Sequence, residues 1–356
     1  MRKLLTTLHL YAALVTGVVL ALLGATGSIM AFEEELDHAF HAELFYVAPQ
    51  GQARPLAELG AAAATTRPGQ RISGYRLSTA PDLSYQVVFP GGDVFVNQYT
   101  GDVLGVRQGR TFLFYVHQLH LRLLAGEAGN RVVSWVGMAT LFLFFSGLYL
   151  WWPIKRVSIH WRGSSRRRWL DIHNAAGVVS LVPLLVLTVT GVMIGFDAVT
   201  GPWMYQVTGT QSLPNAISAT PHPGVQPITP DQAVEIARAA LPGALPISVN
   251  VPGPKTAYRV ASRYPEDLTP GGRSRIFVDP YSGDVRLAES SRTTAAGTRL
   301  KNANRAWHTG DIFGMPSKAI MSLASLMLAL QVVSGVMSWW KRTMGKRREA
   351  NGPARP

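Results

Sequence analysis

Four histidines recur at matching positions in the two halves of the chain. His9 and His173 each precede a Thr-Gly pair, the threonine lying 17 residues further on in both cases. His120 and His308 each precede a Ser-Gly pair that is followed by two adjacent tryptophans. Imidazole is a common metal ligand, and ionisable side chains beside lipid are usually functional. The repeat therefore predicts paired ligands that face each other across a pseudo-twofold axis.

The elements that must position these histidines are long apolar stretches. Of the 356 residues 47% are hydrophobic, and they concentrate at about 8–32, 132–153, 175–196 and 317–340. Each stretch can cross the bilayer hydrocarbon, about 30 Å thick, which takes about 20 helical residues. The first is longer than the apolar core of a signal peptide and shares its histidine and Thr-Gly pair with the third. We therefore expect an uncleaved helix there.

Charge predicts the topology. Residues 153–172 and 341–356 each hold six Lys/Arg and one acid, whereas residues 33–129 hold seven basic and ten acidic side chains. The positive-inside rule therefore places both termini and the 153–172 loop in the cytoplasm, and the two long polar segments outside. The net charge of +13 needs no nucleic-acid partner, because the basic clusters lie where topology requires them. The chain lacks cysteine, which excludes disulfides, iron–sulfur clusters and covalent haem attachment.

The two outer segments also repeat. Residues 94–103 match residues 276–285, and the alternating apolar residues followed by a Gly-Asp turn predict a β-hairpin in each copy. Earlier strands are expected at 84–89 and 256–262. An amphipathic helix is expected from Thr229 to about Leu241, with a weaker counterpart from Pro55 to about Thr65.

The sequence thus predicts a membrane α-helical fold: a four-TM-helix bundle from two parallel repeats, with two small α+β domains on the outer side. The expected segments are TM helix 1 (4–32), outer domain 1 ending in the His120 segment (33–129), TM helix 2 (130–153), a basic cytoplasmic loop (154–172), TM helix 3 (173–197), outer domain 2 ending in the His308 segment (198–314), TM helix 4 (315–340) and a basic cytoplasmic tail (341–356).

Helix length assigns the four histidines to the two faces of the membrane. A rise of 1.5 Å per residue places His9 and His173 near the cytoplasmic face, and the topology places His120 and His308 at the outer face. Breaks near Gly126 or Gly129 and near Pro316 are expected between each outer histidine and its apolar helix, and two facing imidazoles in a four-helix bundle can ligate one haem iron axially. His117, on the same helix face as His120, is an alternative outer ligand, although the second half has no counterpart.

Other residues complete this hypothesis. Glycines along the helices either let a flat macrocycle approach the backbone or simply pack membrane helices together. Basic residues are candidates for binding haem propionates: Arg2, Lys3 and Arg166–Arg168 at the inner site, and Arg122, Arg131 and Arg305 at the outer site. Three phenylalanines are candidates for an aromatic bridge between two haems: Phe142, Phe144 and Phe145. His38 and His41 with their flanking carboxylates form an H-x-x-H motif, which a solvated helix end explains better than a metal site. No dinucleotide-binding glycine motif and no P-loop is present.

With these motifs the chain resembles the PepSY-associated transmembrane helix family, which includes ferric-siderophore reductases of the bacterial inner membrane. The resemblance covers nearly the whole chain and rests on the following motifs: Leu8-His9 with Thr26-Gly27, Leu119–Leu124, Ile172-His173 with Thr190-Gly191, Trp307–Gly310 with Gly335 and Trp339–Arg342, and the turns Tyr99–Asp102 and Tyr281–Asp284. It implies PepSY-like outer domains in the periplasm, two b-type haems bound by the four histidines, and electron transfer across the membrane to an iron chelate.

The resulting hypothesis is an inner-membrane di-haem b protein that reduces a ferric siderophore or other ferric chelate in the periplasm. Its expected partners are membrane lipid, the iron chelate, and an electron donor that is either a quinol or a cytoplasmic reductase. Two alternatives remain at this point: a transporter or permease for iron complexes, and a non-enzymatic regulator whose outer domains bind a protease or cell-wall partner.

Overall fold

The computed structural model describes residues 1–155 and 157–350, and the chain divides into two compact units. A helical unit comprises residues 1–33, 112–203 and the chain from 303 onward, and a sheet unit comprises residues 34–111 and 204–302. The His120 and His308 segments therefore belong to the helical unit, rather than to the outer domains in which the sequence analysis placed them.

Twelve helices form within the described residues. They are α1 (Arg2–Met30), α2 (Glu33–Phe40), α3 (Ala42–Phe45), α4 (Leu56–Ala64), α5 (Phe112–Arg122), α6 (Gly126–Trp151), α7 (Ser165–Val179), α8 (Leu181–Gly195), α9 (Asp197–Val207), α10 (Pro230–Ala240), α11 (Ala296–Thr309) and α12 (Met315–Ala350). A 3₁₀ turn, Asp311–Phe313, lies between α11 and α12.

Three of these helices, α1, α6 and α12, are long and apolar enough to cross a membrane, and α7 with α8 forms a bent pair that would make a fourth span. Large apolar side chains on them face outward, as expected for contact with lipid: Val15 and Val18 are 82% and 73% exposed, and Val182 is 71% exposed. Helix α12 extends well beyond the predicted end of TM helix 4 at residue 340. Residues 351–356 of the predicted tail lie outside the described residues.

The third span is not the continuous helix that was predicted over 173–197. Its helix starts at Ser165, breaks at Ser180 with a bend of 68°, and ends at Gly195. Pro183 accounts for the break, because proline has no N–H to donate to the carbonyl of Val179 and is tolerated only in the first turn of a new helix. The Ser180 hydroxyl donates to the carbonyl of Ala176 at this point (2.6 Å).

The expected breaks before the second and fourth spans are confirmed. Between α5 and α6, Leu123 and Leu124 adopt positive φ angles of 48° and 59°, and Gly126 follows at 58°. Between α11 and α12, Gly310 has a φ of 81°. Each break lets a short histidine-bearing helix fold back beside a membrane-spanning helix.

Helices from opposite halves pack closely. Helices α1 and α12 approach at Gly24, where an added Cβ atom would lie 2.7 Å from the carbonyl oxygen of Ser325. The Ser325 hydroxyl donates to the Gly24 carbonyl (3.0 Å), and the Ser28 and Ser322 hydroxyls are hydrogen-bonded (2.8 Å). Small residues and interhelical hydrogen bonds are the usual means of joining helices in lipid.

The sheet unit contains eight antiparallel strands in one sheet. They are β1 (Gly74–Arg76), β2 (Tyr85–Phe89), β3 (Gly92–Val96), β4 (Val103–Gln108), β5 (Leu245–Asn250), β6 (Tyr258–Arg263), β7 (Ser274–Val278) and β8 (Val285–Glu289). Their order is β4-β3-β2-β1-β5-β6-β7-β8. The predicted hairpins, strands and helices are all present, but β1 pairs with β5, so the two expected α+β domains share a single sheet.

One apolar core serves both halves of this sheet. Leu59 of α4 and Ala233 of α10 are completely buried, together with strand residues that include Val87 and Ile276. Helix α10 begins with a capping box in which Thr229 and Gln232 satisfy each other's backbone N–H groups. The predicted start of this helix at Thr229 is thereby confirmed.

Candidate functional site

Three of the four repeated histidines are hydrogen-bonded to the hydroxyl of a hydroxyl-glycine pair on a neighbouring helix, and the fourth, His173, is hydrogen-bonded to a main-chain carbonyl. In the first half, His9 Nδ1 lies 2.8 Å from the hydroxyl oxygen of Ser146, and His120 Nδ1 lies 3.0 Å from that of Thr26. The contacts are thus reciprocal: His9 on α1 meets the hydroxyl near the end of α6, and His120 on α5 meets the hydroxyl near the end of α1.

The second half repeats this arrangement. His308 Nδ1 lies 3.0 Å from the Thr190 hydroxyl and 3.0 Å from the main-chain carbonyl of Leu187. His173 Nδ1 lies 2.9 Å from the main-chain carbonyl of Gln331, with the Ser334 hydroxyl further away at 3.5 Å. The sequence spacing of the motif therefore encodes contacts between neighbouring helices, not contacts along one helix.

These hydrogen bonds fix the tautomer of the imidazoles. The hydroxyls of Thr26, Ser146, Thr190 and Ser334 each lie 2.6–2.7 Å from the carbonyl oxygen four residues earlier. Because each hydroxyl donates its only proton to that carbonyl, its oxygen can only accept from the histidine. Nδ1 must then carry the ring proton, and Nε2 keeps its lone pair. Metal-bound histidines typically donate their other ring N–H to an acceptor in this way, which leaves the second nitrogen free for the metal.

The glycine of each pair lies directly under the ring. An added Cβ atom would lie 3.0 Å from His120 Cε1 at Gly27, 3.3 Å from His9 Cε1 at Gly147, 2.8 Å from His308 Cε1 at Gly191 and 3.3 Å from His173 Cε1 at Gly335. Other glycines, such as Gly24, contact the neighbouring helix instead. Glycine therefore packs helices together at some positions, as one of the two interpretations expected, and lies beneath a histidine ring at four others, while approach of a macrocycle to the backbone stays a prediction.

His9 and His173 line a common cavity of about 420 Å³ inside the helical unit. Its walls are largely apolar and include Leu14, Phe144 and Trp339. Arg2, Arg166 and Arg342 contribute cationic groups to the same lining. Cofactor sites in proteins have volumes of about 300–1,000 Å³ and mostly apolar walls. The cavity therefore suits a largely apolar ligand that carries anionic groups.

His120 and His308 face each other directly, with ring centroids 6.4 Å apart. Imidazole nitrogens bind metals at about 2.0–2.1 Å, so two rings sharing one ion would have centroids about 6 Å apart. His117, the alternative outer ligand, instead pairs with Glu33 through Nδ1 (2.9 Å). The structure thus brings His120, rather than His117, to His308.

An apolar cluster is built from Phe144, Leu184 and Ala324 inside the helical unit. Phe144 also lines the cavity shared by His9 and His173. The other two aromatic bridge candidates do not point inward, since Phe142 and Phe145 are 38% and 63% exposed.

The remaining predicted residues have other surroundings. Of the predicted inner propionate residues, Arg2 and Arg166 line the cavity, whereas Arg167 pairs with Asp171 (2.9 Å). The predicted outer propionate residues are exposed: Arg122, Arg131 and Arg305. In the H-x-x-H motif, His38 packs on Phe45, and no group of three or more metal-binding side chains occurs among the described residues.

Sequence reasoning missed two contributors to the inner site. Arg342 was assigned only to the basic tail, yet it lines the cavity. Gln331 supplies the carbonyl that holds His173, and its side-chain amide donates to the Ser180 hydroxyl (3.2 Å) at the helix break. An uncharged amide within an apolar segment was the available signal for Gln331, because polar side chains are costly there.

Comparison with curated proteins gives no significant match. The family model of the PepSY-associated TM region matches residues 6–342, nearly the whole chain. The match agrees with the apolar helices in indicating a multi-pass membrane protein. The chain belongs to the PepSY-associated TM region family.

Proposed function

We propose that this protein is a di-haem b electron-transfer protein of the bacterial inner membrane that reduces a ferric siderophore, or another ferric chelate, in the periplasm. The observation that carries the proposal is the grouping of four histidines into two pairs, one with ring centroids 6.4 Å apart and one that lines a shared cavity, each ring with its Nδ1 position occupied by a hydrogen bond and a glycine beneath it. That arrangement leaves two Nε2 lone pairs for each site.

The donor set fits b-type haem. Two neutral imidazoles are a usual pair of axial ligands for haem iron in a helical bundle, and no cysteine is present for covalent attachment. His9 and His173 would hold one haem, and His120 and His308 the other. When bound, each haem would supply a one-electron carrier whose potential depends on its ligands and on the groups hydrogen-bonded to them.

The surrounding residues support the same ligand. Arg2, Arg166 and Arg342 would bind carboxylate groups at the edge of the inner site, since a guanidinium pairs well with carboxylate. The glycines would let the ligand and its histidines lie close to the helix backbones. The apolar cluster around Leu184 excludes water from the interior of the unit, which favours electron transfer over side reactions.

The proposed reaction adds one electron to the Fe³⁺ of the chelate and yields Fe²⁺. The electron would come from a quinol or from a cytoplasmic reductase, which is oxidised in the process. This chain's own part is to hold the two carriers and to exclude water. The basic clusters at 153–172 and after 340 support cytoplasmic termini and a periplasmic sheet unit.

The test is a reduced-minus-oxidised absorption spectrum of the purified full-length protein, with haem counted as its pyridine complex. We expect two b-type haems in the wild type and one in His120→Ala, whereas the matched variant His117→Ala should retain two. The reduced protein, mixed with ferric ferrioxamine, should be reoxidised while a ferrous chelator captures Fe²⁺.

Two outcomes would contradict the proposal. A wild-type protein without b-type bands after expression with ample haem would remove the haem sites and leave the transporter or regulator hypotheses. Haem that is present but is never reoxidised by ferric chelates would remove the substrate and leave electron transfer to another acceptor.

A further inference from the structure

The two inner histidines are equivalent in the repeat but are not held in the same way. His173 Nδ1 donates to a main-chain carbonyl, that of Gln331, at 2.9 Å. Its repeat hydroxyl, Ser334, lies at 3.5 Å and adds little. His9 Nδ1 donates to the side-chain hydroxyl of Ser146 at 2.8 Å, and within the described residues that hydroxyl is its one hydrogen-bond partner.

The difference matters because a main-chain carbonyl is present whatever the side chain, whereas a side-chain hydroxyl is lost when the residue is substituted. No side-chain substitution removes the carbonyl of Gln331. The acceptor for His9 disappears entirely when Ser146 loses its oxygen. Ser146 is itself oriented by donation to the Phe142 carbonyl (2.7 Å), so its lone pairs point away from its own helix toward the ring.

Ser146 therefore has two effects on His9. It keeps the ring proton on Nδ1, and it holds the ring over Gly147, where Cε1 would be 3.3 Å from an added Cβ atom. His9 lies in the second turn of α1, and among the described residues the Ser146 hydroxyl is the one group that hydrogen-bonds its ring. Ser146 consequently determines both the tautomer of His9 and the direction in which its Nε2 points.

We infer that Ser146 is the positioning residue on which the inner site depends, and that the hydroxyl of Ser334, its partner in the repeat, is nearly dispensable. This inference rests on the proposed haem at His9 and His173, but it concerns a residue that does not touch the haem. Removing an outer-shell partner of a metal-bound histidine typically lowers metal affinity by about 10- to 100-fold.

The experiment compares Ser146→Ala with Ser334→Ala in the purified full-length protein. Haem is withdrawn by an excess of apomyoglobin, and the remaining haem is followed by absorption, with redox titration of the protein before withdrawal. We expect Ser146→Ala to release one haem about 10- to 100-fold more readily than the wild type and to shift one of the two midpoint potentials. Ser334→Ala should change release by less than about 3-fold.

Controls separate positioning from general damage. Ser146→Thr keeps the acceptor oxygen and should restore haem retention. Thr16→Ala removes another buried hydroxyl of the bundle, one that donates to the Ala12 carbonyl instead of meeting a histidine nitrogen, and should leave both haems as in the wild type. The outer haem of Ser146→Ala should be unchanged, which would show that the bundle still folds.

The inference is overturned if Ser146→Ala and Ser334→Ala behave alike, or if Ser146→Thr is as defective as Ser146→Ala. Should Ser146→Ala fail to fold, Ser334→Ala still tests the inference, because a rise in haem release of about 10-fold or more in that variant would show that the Ser334 hydroxyl is not dispensable. A wild-type protein without haem would contradict the proposed function itself, and that result is visible before any variant is made.

Discussion

Replacing Gly191 by alanine should damage the outer site while strengthening the helix that carries it. The new Cβ atom would lie 2.8 Å from His308 Cε1 and 3.4 Å from Nδ1. Ordinary van der Waals contact begins at about 3.4 Å, so the ring must move by about 0.6 Å. Ligand positions in functional sites tolerate displacements of about 0.5 Å. The imidazole also cannot move freely, because Leu187 and Thr190 both hold its Nδ1.

The size of the effect follows from these distances. We expect outer haem affinity to fall by about 10- to 100-fold, equivalent to about 1.4–2.7 kcal/mol. At Gly147 the corresponding contact with His9 is 3.3 Å, so the ring there needs to move by only about 0.1 Å and the same substitution should be mild. Alanine in place of an interior helical glycine stabilises a helix by about 0.5–1 kcal/mol, so haem loss in Gly191→Ala cannot be attributed to a weaker helix.

The assay is haem titration of the two variants, with electron paramagnetic resonance of the oxidised protein to report axial ligation at each site. Gly191→Ala should lose or distort the outer signal and keep the inner one, and Gly147→Ala should keep both. An unchanged outer signal in Gly191→Ala, or greater damage in Gly147→Ala, would refute the view that these glycines are spaced to seat the imidazoles.

Two further predictions concern the sheet unit. Asp231 accepts hydrogen bonds from the Leu56 and Ala57 N–H groups (2.7 and 3.2 Å), so Asp231→Ala should destabilise the start of α4 by about 1–2 kcal/mol. Amide hydrogen exchange should accelerate in α4 more than in β7, and equal protection in both would contradict the capping role. Burial, with Asp231 and Tyr258 nearby, raises the pKa of Tyr75 to about 12, against about 10 when unfolded. The unfolded chain thus loses this proton first, and stability should fall as the pH rises from about 10 to about 12. Titration at 295 nm of the wild type and Tyr75→Phe checks this, and a Tyr75 pKa near 10 would contradict it.

Sequence patterns were sufficient for the elements whose signal is local. The length of the apolar stretches located the long helices, and the Gly-Asp turns located both hairpins, because each signal lies within the element it defines. The pairing of β1 with β5 could not be found in this way. Strand β1 has only three residues, Gly74–Arg76, and its partner lies in the other half of the chain, so no local pattern marks it.

The break in the third span could have been predicted from the sequence, although the sequence analysis expected a continuous helix. Pro183 lies inside the apolar stretch, and proline in a helix interior predicts a break at the preceding residues. The histidine pairs were predicted from symmetry, whereas their hydrogen bonds were not. Nothing in a single sequence shows that Thr26, which lies 17 residues after His9 on the same helix, contacts His120 instead.

These contacts suggest why the chain repeats a hairpin and not a single helix. Within each half, one helix supplies a histidine and the other supplies the hydroxyl and glycine that orient it, so the direction of each ring is set inside the half. Pairing, by contrast, requires both halves, since His308 faces His120 and both His173 and His9 line one cavity. One hairpin therefore orients two histidines, one at each end, but it does not bring either of them to a second histidine. Duplication completes both sites at once without a new motif, and it leaves each half free to change how a ring is held. The different acceptors of His9 and His173, a hydroxyl and a main-chain carbonyl, show that the two halves hold their inner rings differently.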